Sequence, residues 1–154
     1  MGERLTRAPL SDLIPLVHPW IDQARAPLYE LTFPSQTTDH ELNQLCIARE
    51  RWAQRASYRV AWVVNLSGIL QATAGQRKLF SEHLKRFEPH DLAYNQGSAL
   101  LVPNPFVRGI VTAVFWLKPP RFPNECFSTI EEAREWALLQ LQTGGVTAPP
   151  PPSR

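Results

Sequence analysis

The sequence of 154 residues has little cysteine, little excess charge of either sign and no long apolar run, and each shortage removes a class of protein. Cys46 and Cys126 are the only cysteines; they lie far apart in no CxxC pair, so neither a disulfide framework nor a zinc site is indicated. A reducing compartment is the simpler setting. The 16 basic and 14 acidic side chains leave a formal charge of +2, and the arginines and lysines are dispersed, unlike the basic patch of a nucleic-acid binder. No stretch approaches the roughly 20 apolar residues that cross a bilayer. The opening segment MGERLTRAPLSDLIPLVHPW carries Asp12 and Pro15 inside its best apolar cluster, so a signal peptide is not expected. These observations predict a cytoplasmic protein without membrane insertion or a nucleic-acid partner.

Catalytic and metal-binding patterns are missing as well. His18, His40, His83 and His90 show neither HxH nor HExxH spacing, so no metal is expected. Ser67 precedes Gly68 but lacks the first half of G-x-S-x-G, and GILQATAGQ at 68–76 lacks the spacing of a phosphate-binding loop. Glu131, Glu132 and Glu135 stand at the start of the last expected helix, where carboxylates favour the helix dipole. With no convergent acid–base set, the chain reads as non-enzymatic and without a cofactor.

What is present is enough apolar material for one core: 44% of residues are hydrophobic and 19% charged. Residues 1–26 form an N-terminal arm, in which Leu13, Ile14, Leu16 and Val17 are interrupted by Pro15 and Pro19; this cluster is either an extra edge strand or a packed arm. From residue 27 the pattern becomes regular. Tyr29, Leu31 and Phe33 alternate with polar residues as in a half-buried strand, and Thr38 with Glu41 has capping-box form. Leu42, Leu45, Cys46, Arg49, Trp52, Ala53 and Ala56 then recur at helical spacing. YRVAWVVNL at 58–66 is β-branched and aromatic, as in a central strand covered on both faces.

A second helix is predicted from Thr73, capped through Gln76 and carrying Phe80, His83, Leu84 and Phe87 on one stripe up to Pro89. After a polar loop, 98–102 reads as a strand, and Asn104-Pro105 opens the helix NPFVRGIVTAVFWL. The prolines of 119–123 allow only a short strand at 125–127 before Ser128 to Glu131 caps a last helix using Ile130, Ala133, Trp136, Ala137 and Leu141. Gly144-Gly145 ends it, and residues 144–154 have the composition of a disordered proline-rich tail. The alternation βαβαβαβα with short connections predicts a single α/β domain over 27–143, a mostly parallel four-stranded sheet with right-handed crossovers.

The segments VAWVVNLSGILQATAGQR (60–77), ALLVPNPFVRGIVTAVFWLKP (99–119) and CFSTIEEAREWALLQL (126–141) resemble, in order and spacing, bacterial STAS-like proteins. The shared pattern is a V-V-D-L-S-G strand end, a T-x-x-Q-R helix start, an R-G-x-x-T-A-x-x-W-L helix and a final F-x-x-x-x-E-A-x-x-W segment. The resemblance implies the βα superhelix of anti-sigma-factor antagonists, a fold it shares with lipid-carrying CRAL-TRIO domains, and a regulatory, protein-binding role in signalling. Asn65 stands where the pattern more often has Asp, and the position of the phosphorylated serine of anti-sigma antagonists falls near Ala74-Gly75. A phosphoserine switch is therefore not expected, although Thr73 and Ser67 are hydroxyls close by.

Two candidate sites follow. At 100° per residue, Phe106, Val107, Ile110, Val111, Ala113, Val114 and Leu117 share one broad face of the 104–117 helix, expected to cover the sheet. Arg108, Thr112, Phe115 and Trp116 remain outside, an arginine between large aromatics, as in a protein-interface hot spot. This stripe is the expected site for a protein partner, with a homodimer as one form, unless the aromatics fold onto a neighbouring helix or the arm. The second site collects Asn65, Ser67, Thr73, Arg77, Asn104 and Arg108 at the carboxyl ends of the strands, where open α/β sheets gather ligands. It would serve a carrier of a small apolar or anionic ligand held in a helix–sheet pocket. The same Asn, Ser and Gly residues are also ordinary turn formers, and the arginines ordinary ion-pair partners.

Overall fold

Alternation along the strands organises the structure, a computed structural model in which residues 13–151 are described. Strands β1 (Ile21–Asp22), β2 (Leu28–Thr32), β3 (Val60–Asn65), β4 (Asn95–Leu101) and β5 (Asn124–Phe127) form one sheet in the order β1-β2-β3-β4-β5. Strands β2 to β5 run parallel, and β1 joins β2 antiparallel with Ile21 opposite Leu31. The expected mostly parallel α/β architecture is found, with the extra edge strand supplied by the arm.

Between successive parallel strands lie helices α1 (Asp39–Ala53), α2 (Ala74–Tyr94) and α3 (Pro105–Leu117), with α4 (Ile130–Thr143) at the end. Helices α1, α2 and α3 stand side by side on one face, while α4 packs on the other across β2 to β5. Three of the N-terminal caps legible in the sequence form: Thr38, Thr73 and Asn104 each accept a backbone N–H, the first two in full capping boxes, whereas α4 is capped one residue later than the 128–131 box implies, by Thr129 accepting from Glu132 N.

The two faces differ in bulk. Tyr29, Leu31, Trp62 and Leu100 point toward α1, α2 and α3, where they join Leu45, Trp52 and Phe87 in an aromatic-rich core. Leu28, Ala61, Val63 and Ala99 point the other way and meet Ala133, Ala137 and Leu141 of α4. Small side chains on both partners bring α4 close to the sheet. At Gly97 of β4 an added Cβ would stand 3.0 Å from Trp136 and Gln140 of α4.

Three expectations need correction. Helix α2 does not stop at Pro89 but continues to Tyr94. Proline removes a donor and crowds the preceding turn, yet the extra turn buries His90 and Asp91 and sets the His90 ring 4.8 Å from that of Trp52. Packing outweighs the lost hydrogen bond. Consequently the expected polar loop is absent, and β4 begins at Asn95.

The segment after α4 is not free along its whole length: Val146 and Ala148 pack against the α4-side core, and Arg25 Nε donates to Pro149 O at 2.8 Å. Residues 152–154 of the tail and 1–12 of the arm lie outside the described residues. From Leu13 onward the arm packs at the β1–β2 edge. Ile14 N donates to the Tyr58 hydroxyl at 3.2 Å, Trp52 Nε1 donates to Ile14 O at 3.1 Å, and Leu16 is buried.

Because Ala137 is fully buried where α4 closes on the sheet, Ala137→Leu forces extra methylenes into a filled gap. The expected loss is about 1–3 kcal/mol, read as a lower urea midpoint with an unchanged m-value.

Candidate functional site

Helix α3 presents chemistry on both of its sides. Asn104 Oδ1 accepts from Val107 N at 2.9 Å, and Pro105 sits at the first helical position, so the start of the helix is fixed. The buried line is narrower than the sequence implies: Val107 and Val114 are buried, with Val111 and Phe115 half-buried against the same core. Phe115 therefore faces inward, and its place in the outer stripe is corrected. Conversely, Phe106 and Leu117, expected on the core side, are 54% and 51% exposed, and Trp116 is 84% exposed.

The displacement has a geometric cause. Helix α3 leans on α2 at the β4–β5 side rather than lying flat on the sheet, so one flank of its apolar face stays outside. The described residues of the arm do not cover it, since they pack at the opposite edge. Arg108 and Thr112 are on the outer side as expected, with Thr112 Oγ1 donating to Arg108 O at 2.9 Å. Gly109 lies there too, and a Cβ at this position would meet nothing.

At the carboxyl ends of the strands, most of the predicted anion-site residues are engaged locally. Asn65 Oδ1 accepts from Ser67 N at 3.0 Å and from Ser67 Oγ at 2.6 Å, forming a turn. Thr73 caps α2, Asn104 caps α3, and Arg77 Nη1 donates to Ala72 O at 2.6 Å. Of these six residues Thr73 lines a polar pocket with Thr38, Glu41 and Gln76, and Arg77 lines a separate cavity among the helices.

That cavity, of about 120 Å³, lies among α1, α2, α3 and the sheet. Leu31, Leu66, Phe80, Leu100, Val111 and Phe115 supply apolar wall, and its lining runs from the exposed Gln71 in the β3–α2 loop to Arg49 and Asp91 in the core. Helix α2 runs against the strands, so Arg77 belongs to one end of the cavity and Asp91 to the other.

Arg49 is the group that the helical stripe contained but whose role sequence reasoning missed. The signal was an arginine at a position where α1 otherwise places apolar residues. It is only 5% exposed, with its guanidinium carbon 4.5 Å from the Trp62 ring centre and 4.2 Å from that of Phe87. Its Nη1 stands 2.9 Å from His83 Nε2, while His83 Nδ1 stands 2.8 Å from Glu50 Oε2. An arginine retains its protons, so Nη1 donates, Nε2 accepts, and the Nδ1–H donates to Glu50. This network assigns a neutral His83. Burial holds the His83 pKa well below the ordinary range, reinforced by Arg49 and Arg86.

The charge of Arg49 is only partly answered. Among the described residues no carboxylate lies within 4.0 Å of it, and its Nε has no hydrogen-bond partner. Burial lowers its pKa, with Asp91 acting in the opposite sense. Asp91 itself is buried, accepts from Asn95 Nδ2 at 3.0 Å, and is pushed up to about 6 mainly by loss of solvent. Nearby, Lys118 and Arg121 both pair with Glu88 and pin the segment after α3 to α2.

Among the described residues no cluster of His, Cys, Asp and Glu is arranged to hold a metal, and no helix is long and apolar enough to cross a membrane. Fold and site together define an open α/β protein with sequential strand order, a helix–sheet cavity and an apolar outer helix face. No family model matches the chain, and no curated protein matches it. In structure it is similar to an anti-sigma-factor antagonist (STAS) domain protein from Planctomyces limnophilus, at 18% identity over 76% of this chain and 97% of that chain, with a TM-score of 0.48. At this similarity no residue role passes from one protein to the other.

The buried groups set a pH dependence. His83 and His90 have pKa values below the ordinary 6.5, His90 at about 4 by burial, so their contribution is intact above 6.5 and is lost as pH falls toward 4. Asp91 acts oppositely: raised from 3.8 to about 6, it favours the folded state as pH falls through that interval. Two histidines against one carboxylate give a net loss. The urea midpoint is expected to fall between pH 7 and pH 5, less steeply in His83→Gln/His90→Gln and more steeply in Asp91→Asn; a flat wild-type profile would contradict this assignment.

Proposed function

We propose that this chain is a non-catalytic protein-binding module that docks through the outer face of α3. The observation that carries this reading is the exposure of Trp116, 84%, beside Phe106 and Leu117 on the same helix. Large apolar side chains grouped on one exposed element favour contact with another molecule, and tryptophan and arginine are common interface anchors. Trp116, Arg108 and Thr112 are the contact residues, with Phe106 replacing Phe115. The STAS-like patterning implies the same regulatory class, working in the cytoplasm without a phosphoserine switch.

The specific form is a homodimer through α3. Gly109 and Ala113 lie one turn apart between Phe106 and Trp116, and glycine in a helix interior costs about 1 kcal/mol relative to alanine. Among the described residues no contact requires it, since a Cβ there would meet nothing within 4 Å. Small residues flanked by large ones suit close approach by a second helix of the same kind. Sedimentation velocity is expected to show a dimer that Trp116→Glu converts to a monomer, with the far-ultraviolet circular dichroism spectrum unchanged. A wild-type monomer at every concentration would overturn the homodimer.

A second reading, a carrier of a small ligand, is supported by the cavity beneath α3. An apolar cavity of comparable size holds a benzene-sized guest. Titration with benzene-sized probes is expected to raise the melting temperature, and no rise with any of them would remove the carrier reading.

A further inference from the structure

Resting on the carrier reading, we propose that the cavity beneath α3 takes a small apolar carboxylate, with Arg49 receiving the carboxylate group and the walls formed by α2, α3 and the sheet enclosing the apolar body. Aliphatic or aromatic acids of about benzoate size are the class that fits.

Arg49 is a cation in the wrong place for a purely structural role. A buried charge costs several kcal/mol unless it is paired and hydrogen-bonded, and a guanidinium offers five N–H donors. Arg49 has two ring faces, one histidine nitrogen and an orphan Nε. The rings partly stabilise its charge, but they leave its Nε without an acceptor. Apolar packing alone would place a leucine or methionine at this point of the α1 stripe. An incoming carboxylate supplies what is lacking, a charge of opposite sign and acceptors for the fork of N–H donors.

The surroundings limit what that anion can be. The lining is dominated by aliphatic and aromatic side chains, so a multiply charged or heavily hydroxylated molecule would leave its polar groups unsatisfied. A volume of about 120 Å³ matches a benzene-sized body better than a long acyl chain or a nucleotide. Arg49 and Arg77 against Asp91 leave the charged lining with an excess of positive charge, favouring a monoanion. Asp91 is the competing carboxylate. Burial raises its pKa to about 6 while it faces Arg49 from α1, Glu88 of its own helix and Lys118 at the end of α3, and an anion bound beside it raises it further, so that it becomes a donor.

Calorimetric titration and thermal shift on the full chain separate the possibilities, with benzoate and hexanoate as probes and benzyl alcohol and hexanol as neutral partners of similar shape. The acids are expected to raise the melting temperature and to bind at least about tenfold more tightly than the alcohols. Arg49→Met, which fills similar space without the charge, is expected to fold with equal or greater stability and to lose that preference. If Arg49 is only structural, the variant is destabilised and any preference is unchanged, which overturns the proposal. Equal binding of acids and alcohols leaves the carrier reading standing and overturns the role of Arg49; no binding of either removes both. Should Arg49→Met fail to fold, the Arg49 Nε–H resonance of the wild type decides: a shift with benzoate but not with benzyl alcohol supports the proposal, and its absence overturns it.

Discussion

The parallel strands send large side chains to one face of the sheet and small ones to the other, and most of the remaining architecture depends on that asymmetry. Where Ala61, Ala99 and Gly97 meet the alanines of α4, a single helix lies close enough to seal the sheet. Where Tyr29, Trp62 and Leu100 project, no single helix could cover the surface, and α1, α2 and α3 share it. Rigid aromatic groups of unequal size fill such a layer less evenly than alanines do. The cavity lies in this thicker layer, and none of the alanine seam lines it.

The buried polar groups follow the same division. Glu50, His83 and Arg49 form a chain from the surface of α1 into the aromatic layer, with Arg86 anchoring its outer end. Each link except the last has a partner that fixes its proton. On the thinner side the ionic contact is peripheral: Arg134 of α4 grips Glu30 of β2 through two hydrogen bonds of 3.0 and 2.8 Å. One arrangement positions a charge inside the protein, whereas the other aligns a helix at its edge.

Periodic features were readable from the chain because they arise from local geometry. The alternation of Tyr29 and Leu31, the apolar run around Trp62, the capping boxes at Thr38 and Thr73, and the Asn104-Pro105 start all report conformations set within a few residues. Features decided by distant packing were not. Nothing local to Pro89 announces that Trp52 will hold the next turn of α2 in place, and nothing in 144–154 shows that Arg25 will take Pro149. The error at Phe115 has the same origin: a helical wheel ranks residues around an axis but does not say which direction faces the core. Helix α3 leans on α2, and that rotation brings Phe115 inward while leaving Phe106 and Leu117 outside. Arg49 was visible as an exception within an apolar stripe, but its meaning depended on the cavity that three other elements create.

A single helix of 13 residues separates the cavity from the exposed aromatic face. Val111 and Phe115 form part of the inner wall, and Trp116, adjacent to Phe115, stands on the outside. A guest that tilts or steadies α3 alters the surface offered to a partner, and a partner that fixes α3 alters the space offered to the guest. Thermodynamic linkage makes the two effects equal in free energy. With the proposed guest and the proposed partner both bound, the wall of the cavity would be the surface through which each affects the other.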